Sequence, residues 1–156
     1  MKILWAPWRI KYILGKKEKC IFCDKVKNDK DKENYVLLRG KNAFVILNTF
    51  PYNNGHLMVA PYKHVSDLEG LEENELGEMM GLVKKSTQIL KKALNPEGFN
   101  VGINMGKVAG AGVEGHIHIH IVPRWGGDAS FISTVGDTKI IPESLGDTYN
   151  KLLAAL

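Results

Sequence analysis

Cysteine is scarce in this sequence: 156 residues contain two, both in a single Cys-x-x-Cys at 20–23. So few exclude a disulfide-stapled scaffold, and a chain of this length can bury enough apolar surface to do without one. No apolar run reaches the length that crosses a bilayer, so no membrane partner is expected. The opening MKILWAPWRIKYI does not read as a secretory leader. Pro7, Trp8, Arg9 and Lys11 interrupt its apolar residues, and no small-residue cleavage site follows. A cytoplasmic location is expected. Repeats, low-complexity tracts and linkers are also lacking, which points to one domain over 1–156. Acid is in deficit, 17 Asp and Glu against 21 Lys and Arg, for a net charge of +4. The lysines gather at 16–32 and 84–92 without interleaved aromatics, so a nucleic-acid polymer is not expected as a partner. A positive balance does favour small polyanions such as nucleotides.

The sequence does contain alternating and helical patterns. After an aromatic-rich arm over 1–19, YVLLRG (35–40) and AFVILN (43–48) read as two strands joined by a tight turn at Gly40-Lys41-Asn42. HLMVAPY (56–62) and FNVGINMG (99–106) read as two more. Between them, Leu76, Met79, Met80, Val83, Leu90 and Leu94 recur at helical spacing over 71–94. Glu72, Glu73 and Glu75 stand at the start of that helix and Lys91 and Lys92 near its end, as the helix dipole favours, and Asn95-Pro96 stops it. The stretch 142–156 reads as a C-terminal helix. Several antiparallel strands with segregated helices make the expected class α+β.

The most informative stretch is GHIHIHIVPR at 115–124. Isoleucine favours strands, and strand side chains alternate faces, so His116, His118 and His120 share one face and Ile117, Ile119 and Ile121 the other. Neighbouring imidazoles would stand about 6.5–7 Å apart, on the strand's rise. The isoleucines read as core, and the histidines face a cleft or solvent. The chain has only five histidines, so three in one strand is a concentration that ordinary surface patterning does not produce. The cysteine pair admits two readings, a redox dithiol or a zinc half-site; no thioredoxin-like βαβ pattern surrounds it, and zinc would need two further ligands. Beyond the three clustered histidines, His56 and His64 remain. Two cysteines and five histidines can thus make one zinc site and one catalytic site with none left over.

HIHIHIV at 116–122 matches the H-φ-H-φ-H-φ-φ pattern of the histidine triad superfamily, φ being hydrophobic. CIFC, ILNTFPYNNGHLMVAPYKHV and IVPR resemble the family in order and spacing over 20–125, and LWAPWRIKYI and PRWGGDASF resemble the bacterial branch that includes diadenosine tetraphosphate phosphorylases. The resemblance implies an antiparallel half-barrel sheet of about five strands with one long helix and a C-terminal helix, paired into a homodimer. Within it, 1–19 would be an arm, 20–125 the core and 126–156 a C-terminal extension. It also implies nucleotidyl transfer from dinucleoside polyphosphates, adenine preferred, to water or phosphate through a nucleotidyl-histidine. His118 would be the nucleophile, its other ring nitrogen held by the His116 carbonyl, with His120 and His56 binding the phosphoryl oxygens. Asn48 would meet the ribose, Asn104 would lie near the phosphate, and the loop around Gly110 and Gly112 would bring backbone N–H groups to it. Zinc-containing relatives imply Cys20, Cys23, His64 and His116 as ligands of a structural zinc.

The chain departs from that pattern in one loop. Many relatives carry Gly-Gln-Ser/Thr before the triad, where this chain has AGAGVEG, without Gln, Ser or Thr. His120 stands where hexose-phosphate uridylyltransferases have Gln, which argues against that branch. Three alternatives stay open from the sequence: a nucleoside phosphoramidate hydrolase, a nucleotide-binding regulatory module with little turnover, and a metalloenzyme with its ion on the histidine strand. The third lacks a carboxylate partner nearby. Lys107 and Arg124 are cations that distal phosphates could reach.

Overall fold

The computed structural model describes residues 20–129, 135–136 and 138–156, so the arm with Trp5, Trp8 and Arg9 lies outside the described residues. Among the described residues the elements are α1 (Ile21–Lys25), α2 (Asp31–Asn34), β1 (Val36–Arg39), β2 (Ala43–Leu47), β3 (Leu57–Pro61), α3 (Glu73–Leu94), β4 (Gly98–Ile103), β5 (Ile119–Arg124) and α4 (Leu145–Ala154), with a 3-10 turn at Lys107–Ala109. The strands form an antiparallel sheet in the order β1-β2-β3-β5-β4. The expected α+β class and the five strands stand.

Every residue of β2 and β3 is buried, because both faces of the sheet are covered. Val45, Leu47, Leu57, Val59, Ile119 and Ile121 pack toward α3 and α4. Phe44, Ile46, Met58 and Ala60 point the other way and are closed off by Phe22 of α1. Tyr149 of α4 donates its hydroxyl to the Val36 carbonyl at 2.6 Å, tying the last helix to the edge strand β1.

Helix α3 starts where expected: the backbone N–H of Glu72 donates to the Glu75 carboxylate at 2.8 Å, one half of a capping box. It stops at Asn95, which takes a left-handed φ of 46°. Its buried face is Met79, Val83, Ser86, Ile89 and Leu90. Two details correct the periodic reading. Met80, counted with the core, is 56% exposed, since it lies about 100° around the helix from Met79. Ile89, not counted, is buried beside Leu90.

The strand expected through all three histidines begins only at Ile119, so His116 and His118 precede it. Proline supplies the reason. The β3–β5 pairing ends at Val59↔Ile119, and Pro61 has no N–H with which to carry the ladder on. Ile117 instead donates its N–H to the Val65 carbonyl at 2.7 Å. The alternation survives all the same: Ile117, Ile119 and Ile121 are all in the α3-side core.

Truncating Leu90 to Ala should cost about 2–5 kcal/mol in urea denaturation, whereas Met80→Ala should stay within about 0.5 kcal/mol.

Candidate active site and metal centre

Two clusters of side chains meet around residues 116–120. The first joins α1 to the loops before β5 and after β3. Cys20 Sγ lies 3.2 Å from His116 Nδ1, and Cys23 Sγ lies 3.4 Å from His64 Nδ1 and 3.5 Å from His116 Nδ1. The two imidazole Nδ1 atoms are 3.2 Å apart, and all four donor atoms fall within 4.8 Å of one another. Zinc bonded tetrahedrally at about 2.3 Å to sulfur and about 2.0–2.1 Å to nitrogen has donor–donor edges of about 3.3–3.8 Å. The cluster matches that size. Its protonation agrees as well. His116 Nε2 donates to the Pro61 carbonyl at 2.8 Å, so the Nδ1 turned to the sulfurs carries a lone pair. These four residues therefore fit a zinc ion as a complete Cys₂His₂ set. Pro61, which ends the β3–β5 ladder, thus also orients the His116 ring.

The second cluster is His56, His118 and His120. His118 Nδ1 donates to the His116 carbonyl at 2.8 Å, which leaves its Nε2 unprotonated in the neutral ring. His118 is buried, and Phe22 packs against its ring at 4.8 Å between centroids and against His116 at 5.1 Å. The backbone N–H of Tyr52 donates to His56 Nδ1 at 3.1 Å, which fixes the proton of that ring on Nε2. His56 Nε2 then donates to His120 Nδ1 at 2.9 Å, and the proton of His120 is left on its own Nε2. The rings of His118 and His120 lie 4.7 Å apart, edge to face. The His118 ring thus offers an unprotonated nitrogen that can act as a nucleophile, and the neighbouring His120 ring an N–H that can donate a hydrogen bond.

Burial keeps these rings neutral. It is the main reason that His56 is pushed down to about 3 and His120 to about 4, with charge on neighbouring histidines adding to both. His118 is lowered as well, by burial, partly offset by its bond to the His116 carbonyl.

The remaining expected residues fall into two groups. Asn48, at the end of β2, is drawn into the cluster: its Nδ2 lies 3.3 Å from His56 Nδ1 and its Oδ1 accepts from the Phe50 N–H at 2.9 Å. Asn104 and Gly110 hold the glycine loop together, with Asn104 Nδ2 donating to the Gly110 carbonyl at 3.2 Å and Gly110 at a φ of 85° that suits glycine. Gly112 is exposed with open space around it and makes no described contact with the histidines. Arg124 is engaged, pairing with Asp128 at 2.6 Å and bonding Asn100 at 2.7 Å. Lys107 lies exposed in the loop.

Sequence reasoning passed over Tyr52 and Phe22. Tyr52 stacks on His120 at 5.6 Å and 29° and is 57% exposed. The signal was present, an aromatic four residues before His56, but its use is a backbone contact that residue type does not announce.

An open five-stranded antiparallel sheet whose inner strand receives three alternating histidines, braced by a Cys₂His₂ cluster, defines a histidine triad protein. The chain belongs to the HIT domain family, whose model matches residues 29–127. It is 42% identical to an AP-4-A phosphorylase of Mycobacterium tuberculosis, over 97% of this chain and 82% of that protein. An adenosine 5′-monophosphoramidase of Schizosaccharomyces pombe is 34% identical over 67% of this chain and 74% of its own length. Among solved structures, a Zn-bound histidine triad family protein from Mycobacterium smegmatis superposes with a TM-score of 0.72 at 29% identity, covering 88% of this chain and 92% of that one.

The neutral His56 predicts a pH dependence. Unfolded histidine takes up a proton near pH 6.5. The folded ring resists protonation down to about 3. The unfolded state therefore binds more protons in that window, and stability falls as pH drops through it. Between pH 7 and 4.5 the denaturation midpoint should fall, and His56→Gln should lose a smaller part of its stability over the same interval.

Proposed function

We propose that this protein cleaves dinucleoside polyphosphates at the phosphate next to adenosine, in two displacements through His118, with inorganic phosphate as the second acceptor. The observation that carries the proposal is the hydrogen bond from His118 Nδ1 to the His116 carbonyl, which directs the ring's lone pair to Nε2. Support for the substrate and the acceptor comes from the 42% identical AP-4-A phosphorylase.

In the first displacement His118 Nε2 attacks the α-phosphorus. An N–P bond forms, and the P–O bond to the leaving phosphate breaks with its electron pair going to that oxygen. The positive charge left on the ring is shared with Nδ1–H, which the His116 carbonyl stabilises. His120, its proton on Nε2, donates to the phosphoryl oxygens, and His56 secures that tautomer from behind. We assign Asn48 to the ribose as well as to His56, and Asn104, Gly110 and Gly112 to the loop that borders the phosphate. In the second displacement an oxygen of phosphate attacks, the N–P bond breaks and the lone pair returns to Nε2. Diadenosine tetraphosphate would yield ATP and then ADP.

Cys20, Cys23, His64 and His116 would hold a structural zinc, which when bound would fix α1 against the triad. The chain's own part is to orient His116, and through its carbonyl His118. Two free cysteines kept as ligands suit the reducing cytoplasm, where we place the protein. No helix among the described residues is long and apolar enough to cross a membrane. We take the whole of 1–156 as one HIT domain with an N-terminal arm and a C-terminal extension. It would work as a homodimer, which the exposed Val101 of the edge strand β4 favours. The phosphoramidase relative favours a second reading, hydrolysis of a nucleoside phosphoramidate by the same nucleophile.

Product analysis on diadenosine tetraphosphate should give ADP and ATP that depend on added phosphate and vanish in His118→Ala. AMP and ATP without phosphate would make the protein a hydrolase, and undiminished turnover by His118→Ala would remove the nucleophile. Cys23→Ser should release bound zinc, read by metal analysis, and lower the melting temperature.

A further inference from the structure

Strand β5 presents His120, Val122 and Arg124 on one face, about 6.5–7 Å apart. On the neighbouring strand, Gly102 lies opposite His120, Asn100 opposite Val122 and Gly98 opposite Arg124. Both glycines have open space where a Cβ would stand, so β4 leaves this face uncovered beside His120. A cleft of about 240 Å³ opens there, lined by Tyr52, Asn53, Asn100, Val122, Arg124 and Lys139. Its volume is below the roughly 300–1,000 Å³ of sites that enclose a whole ligand, so it suits one part of a larger molecule.

The chemistry of the cleft is specific. Tyr52 forms its wall nearest the triad, stacked on His120. The Arg124 guanidinium is held rigid by Asp128 at 2.6 and 2.9 Å and by Asn100 at 2.7 Å, yet its side chain stays 47% exposed. Lys139 donates to the Asp128 backbone carbonyl at 2.7 Å and shares the field of the Asp128 carboxylate with Arg124, without a carboxylate hydrogen bond of its own among the described contacts. Among the described residues one carboxylate, that of Asp128, stands against the two cations Arg124 and Lys139, a net positive balance. A fixed, net positive cleft reached along one strand face from a nucleophile site is a receptor for an anionic leaving group.

We propose that this cleft binds the nucleoside polyphosphate that departs in the first displacement, its phosphates at Lys139 and Arg124 and its path flanked by Tyr52. This assignment rests on the two-displacement reading above. It adds that the protein recognises the half of its substrate beyond the scissile bond, through residues that make none of the described contacts with His118.

Two substrates separate the roles: diadenosine tetraphosphate, and the p-nitrophenyl ester of AMP, whose leaving group carries no phosphate. Lys139→Gln should raise KM for the first about 5-fold or more, with kcat within about 2-fold, and leave kcat/KM for the second within about 2-fold. Tyr52→Ala should lower kcat/KM for the first more than for the second, by about 5-fold. Parallel losses on both substrates, or no loss on either, would overturn the assignment. A readout independent of turnover is ATP titration by calorimetry into the His118→Asn protein saturated with AMP. Lys139→Gln should weaken that binding about 5-fold, and equal affinity would overturn the cleft's role. Failure of wild type to turn over either substrate, with ATP binding still sensitive to Lys139, would instead count against the two-displacement reading alone.

Discussion

His116 is bound at both ends, and the rest of the site hangs from it. Its ring is anchored through Nε2 to the Pro61 carbonyl, which turns Nδ1 toward Cys20, Cys23 and His64. Its backbone carbonyl accepts the Nδ1–H of His118. One residue thus sets the protonation of its own ring within the Cys₂His₂ cluster and that of His118 at once. Shifting it by a fraction of an ångström would lengthen short contacts on both sides, and neither would be remade by water, because His116 is fully buried.

A second hydrogen-bond chain approaches the triad from the opposite side. It begins at a backbone N–H, that of Tyr52, whose direction of donation is unambiguous, and ends at His120. Because a neutral imidazole has one N–H, each step determines the next. The two chains meet at His118 and His120, whose rings lie 4.7 Å apart, one with a bare Nε2 and the other with its proton on Nε2. A burial that suppresses charge on His56 and His120 keeps this second chain neutral, so that each of its rings carries a single N–H. Preorganisation of this kind costs little at the moment of reaction, since the donors are already aimed.

Much of this was readable from residue types. Isoleucine alternation placed Ile117, Ile119 and Ile121 in the core and the histidines on the other face, and ligand accounting paired the cysteines with imidazoles. What escaped was set by partners distant in sequence. The start of β5 depends on Pro61, 58 positions before Ile119 in the chain, through an N–H that proline lacks. The exposure of Met80 depends on which helix face α3 offers the sheet. The tight approach of Phe22 to two histidines follows from the helical turn between the cysteines, too short to show a period. The family resemblance set Asn48 beside a ribose; its contact with His56 was not legible, because it arises from the Asn53–His56 turn closing back on β2.

Helix α1 has five residues, far short of the roughly 12–15 at which an isolated helix begins to hold together in water. Phe22, its second residue, is nonetheless 1% exposed and closes the second face of the sheet. Its place is held from outside, by the donor atoms that flank it at Cys20 and Cys23. The two core layers of this protein are therefore not equals. The layer under α3 is sustained by a 22-residue helix. Among the described residues no long helix covers the layer under α1, so local opening is expected to begin there, on the face that carries His118.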